Sequence, residues 1–431
     1  MRIAVIGGAG VRTPLLAAGL AGSDLPLEEV TLFDTDQERL GLIAPLADRL
    51  AEGVRVRARE SVEECVEGAD FVFTSFRVGG IDARARNEAA ALKLGLVGQE
   101  TTGFAGCAMA LATIPEMVRY ARVVERRAPE AWVVNFANPV GIVTQAVQAA
   151  TGAKIIGICD TPTELFEEVT RELGLPSAEC HFDYFGLNHL GWLREVYHRG
   201  RPQMAALWDA PERLAGLYRT DLFDPGFLAE LRLLPTEYGY FYYQTERAVE
   251  NLLRAGESRG TTLARLNAGL FQALASGADD PARLYGDYLA ARDASYMQIE
   301  SGSEEALPPP ASAAATGYDR IALAVLRAIH FNTSAVIPLD VPNQGNLGDL
   351  LDEDVVEVPC VVNADGPHPV NVPPVPEVAR DLLLRVKEYE RLTVRAALER
   401  SADLAVEALT LNPLVGRRDL AERLVAEVMP S

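Results

Sequence analysis

The chain has 431 residues, 48% of them hydrophobic, and a formal net charge of −21. That length suits two domains, or one large α/β domain with a lobe, around a substantial core. The charge argues against nucleic acid or an anionic membrane surface as the main partner, while a local basic pocket could still hold a small anion.

The first predicted strand is the β-branched run at 2–7, closed by Gly7, Gly8 and Gly10, and a helix follows with Pro14 in its first turn. The next strand, EVTLFDTD, ends in acids, and a helix is expected at 37–51. Further strands are expected at 54–58, 69–76, 132–136 and 154–159, with helical stretches between them. Strands alternating with helices imply βαβ units and a parallel, doubly wound sheet.

The pattern changes near residue 180, where HFDYFGLNHLGWLREVYH reads as one or two strands in antiparallel arrangement. Helices are expected at 204–218, 243–255, 281–299 and 317–332, with a loop at 307–312. A strand pair or extended segment is expected at 354–363, and mostly helix from 375 to 415. The fold class is therefore α/β. A Rossmann-like, doubly wound parallel sheet occupies residues 1–180 and a mixed α+β lobe residues 181–431, an architecture like that of lactate and malate dehydrogenases.

Five cysteines, Cys65, Cys107, Cys159, Cys180 and Cys360, stand at scattered spacings. They make neither a disulfide framework nor a zinc finger. No apolar run is long enough to span a bilayer, and the opening apolar stretch ends at once in glycines. A cytoplasmic location is the expectation.

GGAGVRTP follows the first strand and opens the first helix. Glycines there let backbone approach a pyrophosphate, and the helix N-terminus offers unpaired N–H groups. Gly7, Gly8 and Gly10 are the candidates for that contact. Asp34 closes the second strand where a ribose 2′-hydroxyl acceptor belongs. Its carboxylate favours NAD over NADP by repelling a 2′-phosphate. The third glycine position carries Arg12 or Thr13, so the fingerprint is degenerate. Asp36 reads as a helix N-cap.

Ligands of a doubly wound sheet lie beyond the carboxyl ends of its strands. Asn135, Asn138, Cys159 and Asp160 all fall at such ends, and His189 sits where the lobe begins. Taken singly, Cys159 reads as a small buried apolar residue and His189 as a satisfied core histidine. Together, a thiolate and an imidazole suit a borderline divalent metal and leave positions open for substrate oxygens. The run YGYFYYQ at 238–244 reads mainly as aromatic packing.

These motifs, with GLVGQETTG, GLNHLGW, VPNQGNL, VVEVPCVV and VKEYERLT, follow the order seen in glycoside hydrolase family 4. From about residue 2 to residue 428 the chain resembles that family, above all its 6-phosphoglucosidases. The resemblance implies a redox-assisted elimination. NAD+ takes hydride from sugar carbon 3, a base removes the carbon 2 proton, and the aglycone leaves carbon 1. Water then adds and the hydride returns. It also implies a divalent metal, usually manganese, on the oxygens of carbons 2 and 3. By motif position the metal falls to Cys159 and His189 and the general acid to Asp160. The base falls to Tyr238, with Tyr242 as the alternative. Asn135, Asn138 and Asn188 are expected on the substrate or the nicotinamide ribose. A homodimer or homotetramer is likewise implied.

The resemblance frays at ARARNEAAALKLG, where Arg84, Glu88 and Lys93 persist but Asn87 and Ala89 depart from the family. Arg84 is the candidate for a sugar 6-phosphate. The motifs mix features of α- and β-type members and lean to a 6-phospho-β-glucosidase. The alternatives are a 6-phospho-α-glucosidase, a non-phosphorylated glycosidase of the same family, and an NAD-dependent 2-hydroxyacid dehydrogenase.

Overall fold

The computed structural model describes residues 1–218, 222–277, 279–302 and 317–429. The amino-terminal strands are β1 (Arg2–Ile6), β2 (Glu29–Phe33), β3 (Arg55–Ala58), β4 (Phe71–Thr74), β5 (Trp132–Asn135) and β6 (Lys154–Gly157). They run parallel in the order β6-β5-β4-β1-β2-β3, with Ile3 against both Val30 and Phe71 and Val133 against both Val72 and Ile155. This is the doubly wound sheet expected from the sequence, with its switch point between β1 and β4. Ile3, Ala4, Val5 and Ile6 are all buried, as continuous apolar runs in a sheet covered on both faces must be.

The lobe begins with a hairpin of β7 (Cys180–Leu187) and β8 (Leu190–His198), flanked by the short β9 (Arg201–Pro202) and β10 (Leu234–Pro235). Its core is separate, built from Leu193, Leu207, Leu228 and Phe241 among others. The chain then returns to the first sheet. Strands β11 (Ala335–Pro342), β12 (Val355–Asn363) and β13 (Gly366–Pro369) extend it antiparallel beyond β6, giving nine strands among the described residues. Strand β11 meets β6 through one pair, Asp340 against Gly157.

Several expectations shift. The helix expected at 204–218 is a single turn, Ala205–Trp208, followed by a 3-10 segment, Pro211–Gly216, because Pro211 cannot continue the helical ladder. The helix expected at 281–299 stops at Ala294, and a short turn, Gln298–Ser301, follows Met297 in a left-handed conformation. Helix Arg259–Ser276, capped by the Ser258 hydroxyl on the Thr261 N–H, was not anticipated. Strand β11 was hidden by Pro338 and Pro342, residues that argue against an interior strand. The loop expected at 307–312 lies outside the described residues. Among the described residues no helix is long and apolar enough to cross a membrane.

The centre of the sheet carries the fold. Phe73 is fully buried on β4, its ring 6.0 Å from that of Phe136. Phe73→Ala is expected to lower the free energy of unfolding in urea by about 3–5 kcal/mol, as large cavities in close-packed cores do. A loss below about 1 kcal/mol would show that the site collapses onto its neighbours.

Candidate active site

The carboxyl ends of β1, β2, β4, β5 and β6 open into a cleft of about 1410 Å³. At its dinucleotide end Gly7 has φ +96, and a Cβ there would lie 2.3 Å from the Ser75 carbonyl oxygen, so only glycine fits. The Gly7 and Gly8 amides both donate to the Phe33 carbonyl at 2.9 Å, and Gly10 N–H donates to the Gly7 carbonyl at 3.0 Å. Gly7 and Gly10 line the cleft; Gly8 packs against Leu32 instead, where its missing side chain lets the turn settle on β2. Asp34 also lines the cleft and accepts from the Ala9 N–H at 3.1 Å and the Asp36 N–H at 3.0 Å. Burial pushes its carboxyl up, and those two donors offset part of the rise. Asp36 is the N-cap of the helix Gln37–Leu50 through the Arg39 N–H, as its position suggested.

The opposite wall holds Cys159, Asp160, His189 and Tyr238, residues separated by up to 79 positions in the chain and gathered on one cavity. Cys159 and Asp160 follow β6, and His189 turns the β7–β8 hairpin with φ +63. The Thr101 hydroxyl lies 3.0 Å from Gln99 Oε1 and 2.6 Å from His189 Nδ1. With the hydroxyl hydrogen on Gln99, Nδ1 carries the imidazole proton and Nε2 keeps its lone pair. Burial pushes the imidazole down to about 3, so the ring is neutral. The Tyr238 ring stacks on it, centroids 3.8 Å apart and planes within 8°. Burial first, then the charges of Glu357 and Asp160, hold the Cys159 thiol well above its usual range. A divalent cation beside the sulfur would reverse that balance.

Asn138, at the start of a cis peptide to Pro139, lines the cleft. Asn135 does not. Its Oδ1 accepts from the Thr74 hydroxyl at 2.9 Å and the Ala137 N–H at 2.8 Å, and its Nδ2 donates to the Thr144 hydroxyl at 3.2 Å. A fully buried amide spent in this way braces the β4–β5 ends and has nothing left for a sugar. Asn188 also turns away from the cleft and donates from Nδ2 to Glu357 Oε1 at 3.2 Å. Tyr242 lines a small separate cavity with Glu390, so of the two candidate bases Tyr238 is the one on the cleft. Arg84 lines the cleft with its guanidinium already bound to Glu88 and Glu100.

Sequence reading missed several cleft residues. Glu237 accepts from the Tyr296 hydroxyl at 2.6 Å and from the Thr161 hydroxyl at 3.3 Å. Burial, with Asp160 adding to it, pushes Glu237 up to about 7. Arg77, Arg259 and Arg292 also reach the cleft. Arg77 pairs with Glu100, whereas Arg259 and Arg292 donate to Ser295 Oγ and to the Tyr288 hydroxyl. Among the described residues, no carboxylate stands in ion-pair range of Arg259 or Arg292. Burial comes first, and crowding by other guanidiniums adds to it, in holding all three below the ordinary arginine range. The one signal for Glu237 was a lone acid beside the tyrosine run; Arg259 and Arg292 lie on helices with no distinguishing pattern, and Arg77 lies in the loop that follows β4.

Such a cleft belongs to an enzyme that joins a dinucleotide to acid–base work on a small polar ligand. The model of the family 4 glycosyl hydrolases matches residues 2–175, and that of the family 4 glycosyl hydrolase C-terminal domain matches residues 184–415. The chain belongs to this family of glycoside hydrolases. It is similar to the 6-phospho-beta-glucosidase of Escherichia coli, 29% identical over 100% of this chain and 94% of that protein. It is also similar to the maltose-6'-phosphate glucosidase of Bacillus subtilis, at 28% over 99% and 94%. Among solved structures it is similar to the 6-phospho-beta glucosidase of Thermotoga maritima with manganese, NAD+ and glucose-6-phosphate. That match has 28% identity and a TM-score of 0.82, over 99% of this chain and 97% of that one.

Glu237 makes the stability of the ligand-free protein depend on pH. Its folded-state value of about 7 lies above the ordinary glutamate value of 4.5, so the folded protein prefers the protonated acid. The corresponding stability is complete below pH ~4.5 and is lost as pH rises through about 7, a loss of about 3 kcal/mol at most. Glu237→Gln, in protein stripped of metal and nucleotide, is expected to show a markedly smaller drop in unfolding free energy between pH 5 and pH 8. Glu357, pushed up by burial to a similar value, keeps its share of the drop in that variant. An unchanged drop would mean that Glu237 is solvated.

Proposed function

We propose that the protein is an NAD+- and divalent-metal-dependent glycosidase that cleaves 6-phosphorylated β-glucosides. The observation that carries this reading is one cleft bounded by the Gly7–Gly10 turn with Asp34, the Cys159–His189 pair, and a group of crowded arginines in a chain of net charge −21. Residues 1–180 hold the dinucleotide, and residues 181–431 contribute His189, Tyr238 and two of the arginines. The similar Thermotoga maritima protein, solved with manganese, NAD+ and glucose-6-phosphate, supports the same assignment.

The residues present fit both groups. A glycine turn without room for a side chain, ahead of a helix and beside Asp34, suits a pyrophosphate and a 2′-hydroxyl. Cys159 and His189, with Nε2 free, suit a borderline cation. Among the described residues no three His, Cys, Asp or Glu side chains form a complete donor set, so open positions remain for substrate oxygens. When bound, NAD+ supplies a hydride acceptor for carbon 3, and the cation supplies Lewis-acid polarisation of the sugar oxygens.

The remaining work falls to this chain's own side chains. Burial holds the Tyr238 hydroxyl above its usual range, and a cation held by Cys159 and His189 would lower it; as the phenolate, Tyr238 takes the proton of carbon 2 and later returns it. Asp160 donates to the leaving aglycone oxygen and then draws a proton from the incoming water. Asn138 hydrogen-bonds the sugar. Arg259 and Arg292, with Arg77 and Arg84, receive the 6-phosphate. Guanidiniums stay protonated even when crowded, so a dianion among them relieves their repulsion and accepts paired hydrogen bonds.

The reading is tested with nitrophenyl 6-phospho-β-glucoside carrying deuterium on carbon 2, in the presence of NAD+ and Mn2+. Cleavage is expected to release label to solvent with no net NADH; complete retention of deuterium in the sugar product would refute the elimination. An α-linked substrate cleaved faster would move the assignment to a 6-phospho-α-glucosidase. Arg292→Ala is expected to raise KM for the phosphorylated glucoside about 10- to 100-fold, the weight of a charge-assisted hydrogen bond, with kcat largely kept. The preference over the unphosphorylated glucoside should fall by the same factor. An equal loss on both substrates would take Arg292 out of the phosphate site.

A further inference from the structure

Glu357 comes to the reaction site from the far end of the chain. It lies on β12, opposite Asp340 of β11, and is buried. Its Oε2 accepts from the Tyr184 hydroxyl and its Oε1 from Asn188 Nδ2 at 3.2 Å. Both donors belong to β7 and the turn that follows it, the turn whose next residue is His189. Tyr184 reaches Glu357 by passing over Gly191 on β8, where a Cβ would lie 1.8 Å from the phenolic oxygen. One carboxylate therefore ties down the hairpin at two points ahead of His189, the nearer being the residue just before it. Among the described residues no Lys, Arg or His stands in ion-pair range of Glu357. Its hydrogen-bond donors are neutral, and a buried carboxylate held in this way lacks a compensating charge.

We propose that Glu357 is a positioning residue for the divalent cation, fixing the Asn188–His189 turn without joining the donor set. This rests on the reading that Cys159 and His189 hold the cation. Partners behind metal ligands orient them and strengthen binding by about 10- to 100-fold.

The test is Mn2+ affinity, read as the electron paramagnetic resonance signal of free Mn2+ in titrations of the full chain with saturating NAD+. Glu357→Gln is expected to weaken Mn2+ binding about 10- to 100-fold. NAD+ affinity, followed by intrinsic fluorescence, should stay within about twofold, and the thermal midpoint in EDTA at pH 8 should not fall. Asn188→Ala keeps the carboxylate and cuts one tie to the turn; it is expected to weaken Mn2+ binding by a smaller factor, about 3- to 10-fold. Wild-type Mn2+ affinity in both variants would overturn the inference, as would a lower thermal midpoint with Mn2+ affinity intact. Cys159→Ser is the control. Loss of Mn2+ binding there, with Glu357→Gln unaffected, would sink the inference alone. No Mn2+ binding by the wild type would sink the metal reading and the inference together.

Discussion

Strand β11 joins the parallel sheet through one backbone pair, Asp340 against Gly157, and the placement of the lobe over the cleft depends on it. A Cβ on Gly157 would lie 2.7 Å from the Asp340 Cβ, 2.7 Å from Val140 Cγ1 and 2.8 Å from the Thr144 hydroxyl. The absent side chain lets the returning C-terminal strands dock beside β6. Docking there brings β12, and with it Glu357, to the hairpin turn that carries His189. The sheet that positions the dinucleotide turn thus also positions the wall that faces it. Two halves of a long chain share one frame, and the turns that line the cleft spring from the strands of that frame.

Electrostatics in the cleft run against the composition of the chain. An overall charge of −21 coexists with arginines close enough to depress one another and with acids, Glu237 and Glu357, that burial keeps near neutrality. Both departures have the same origin. Excluding water strengthens every charge interaction, so a group with a partner in the reaction cycle is strained without it.

The parts of this arrangement visible in the sequence were those with local signatures. Strands β1 to β6 announce themselves by apolar runs and glycine stops, and Gly7, Asp34, Cys159, Asp160 and His189 follow from their places at strand ends. The third dimension decided the rest. Asn135 and Asn188 carry the same side chain as Asn138. Yet Asn135 is spent on Thr74, 61 residues away, and Asn188 on Glu357, 169 residues away, and no local pattern records such partners. Strand β11 was concealed because Pro338 and Pro342 break the usual rule for interior strands. They are tolerated here because β11 touches β6 at one residue. Arg259 escaped notice because it lies on a helix that was itself missed.

The flat contact between Tyr238 and His189 makes one mechanical unit of two side chains with different proposed duties. Any replacement at position 238 is judged twice, once on how it handles a proton and once on the surface it offers an imidazole. A carboxylate or an aliphatic chain could meet the first demand or neither, and it would leave the ring free to tilt. Drift at this position is therefore filtered by planarity as well as by basicity, and a new base could enter only if the histidine found another wall to lean on.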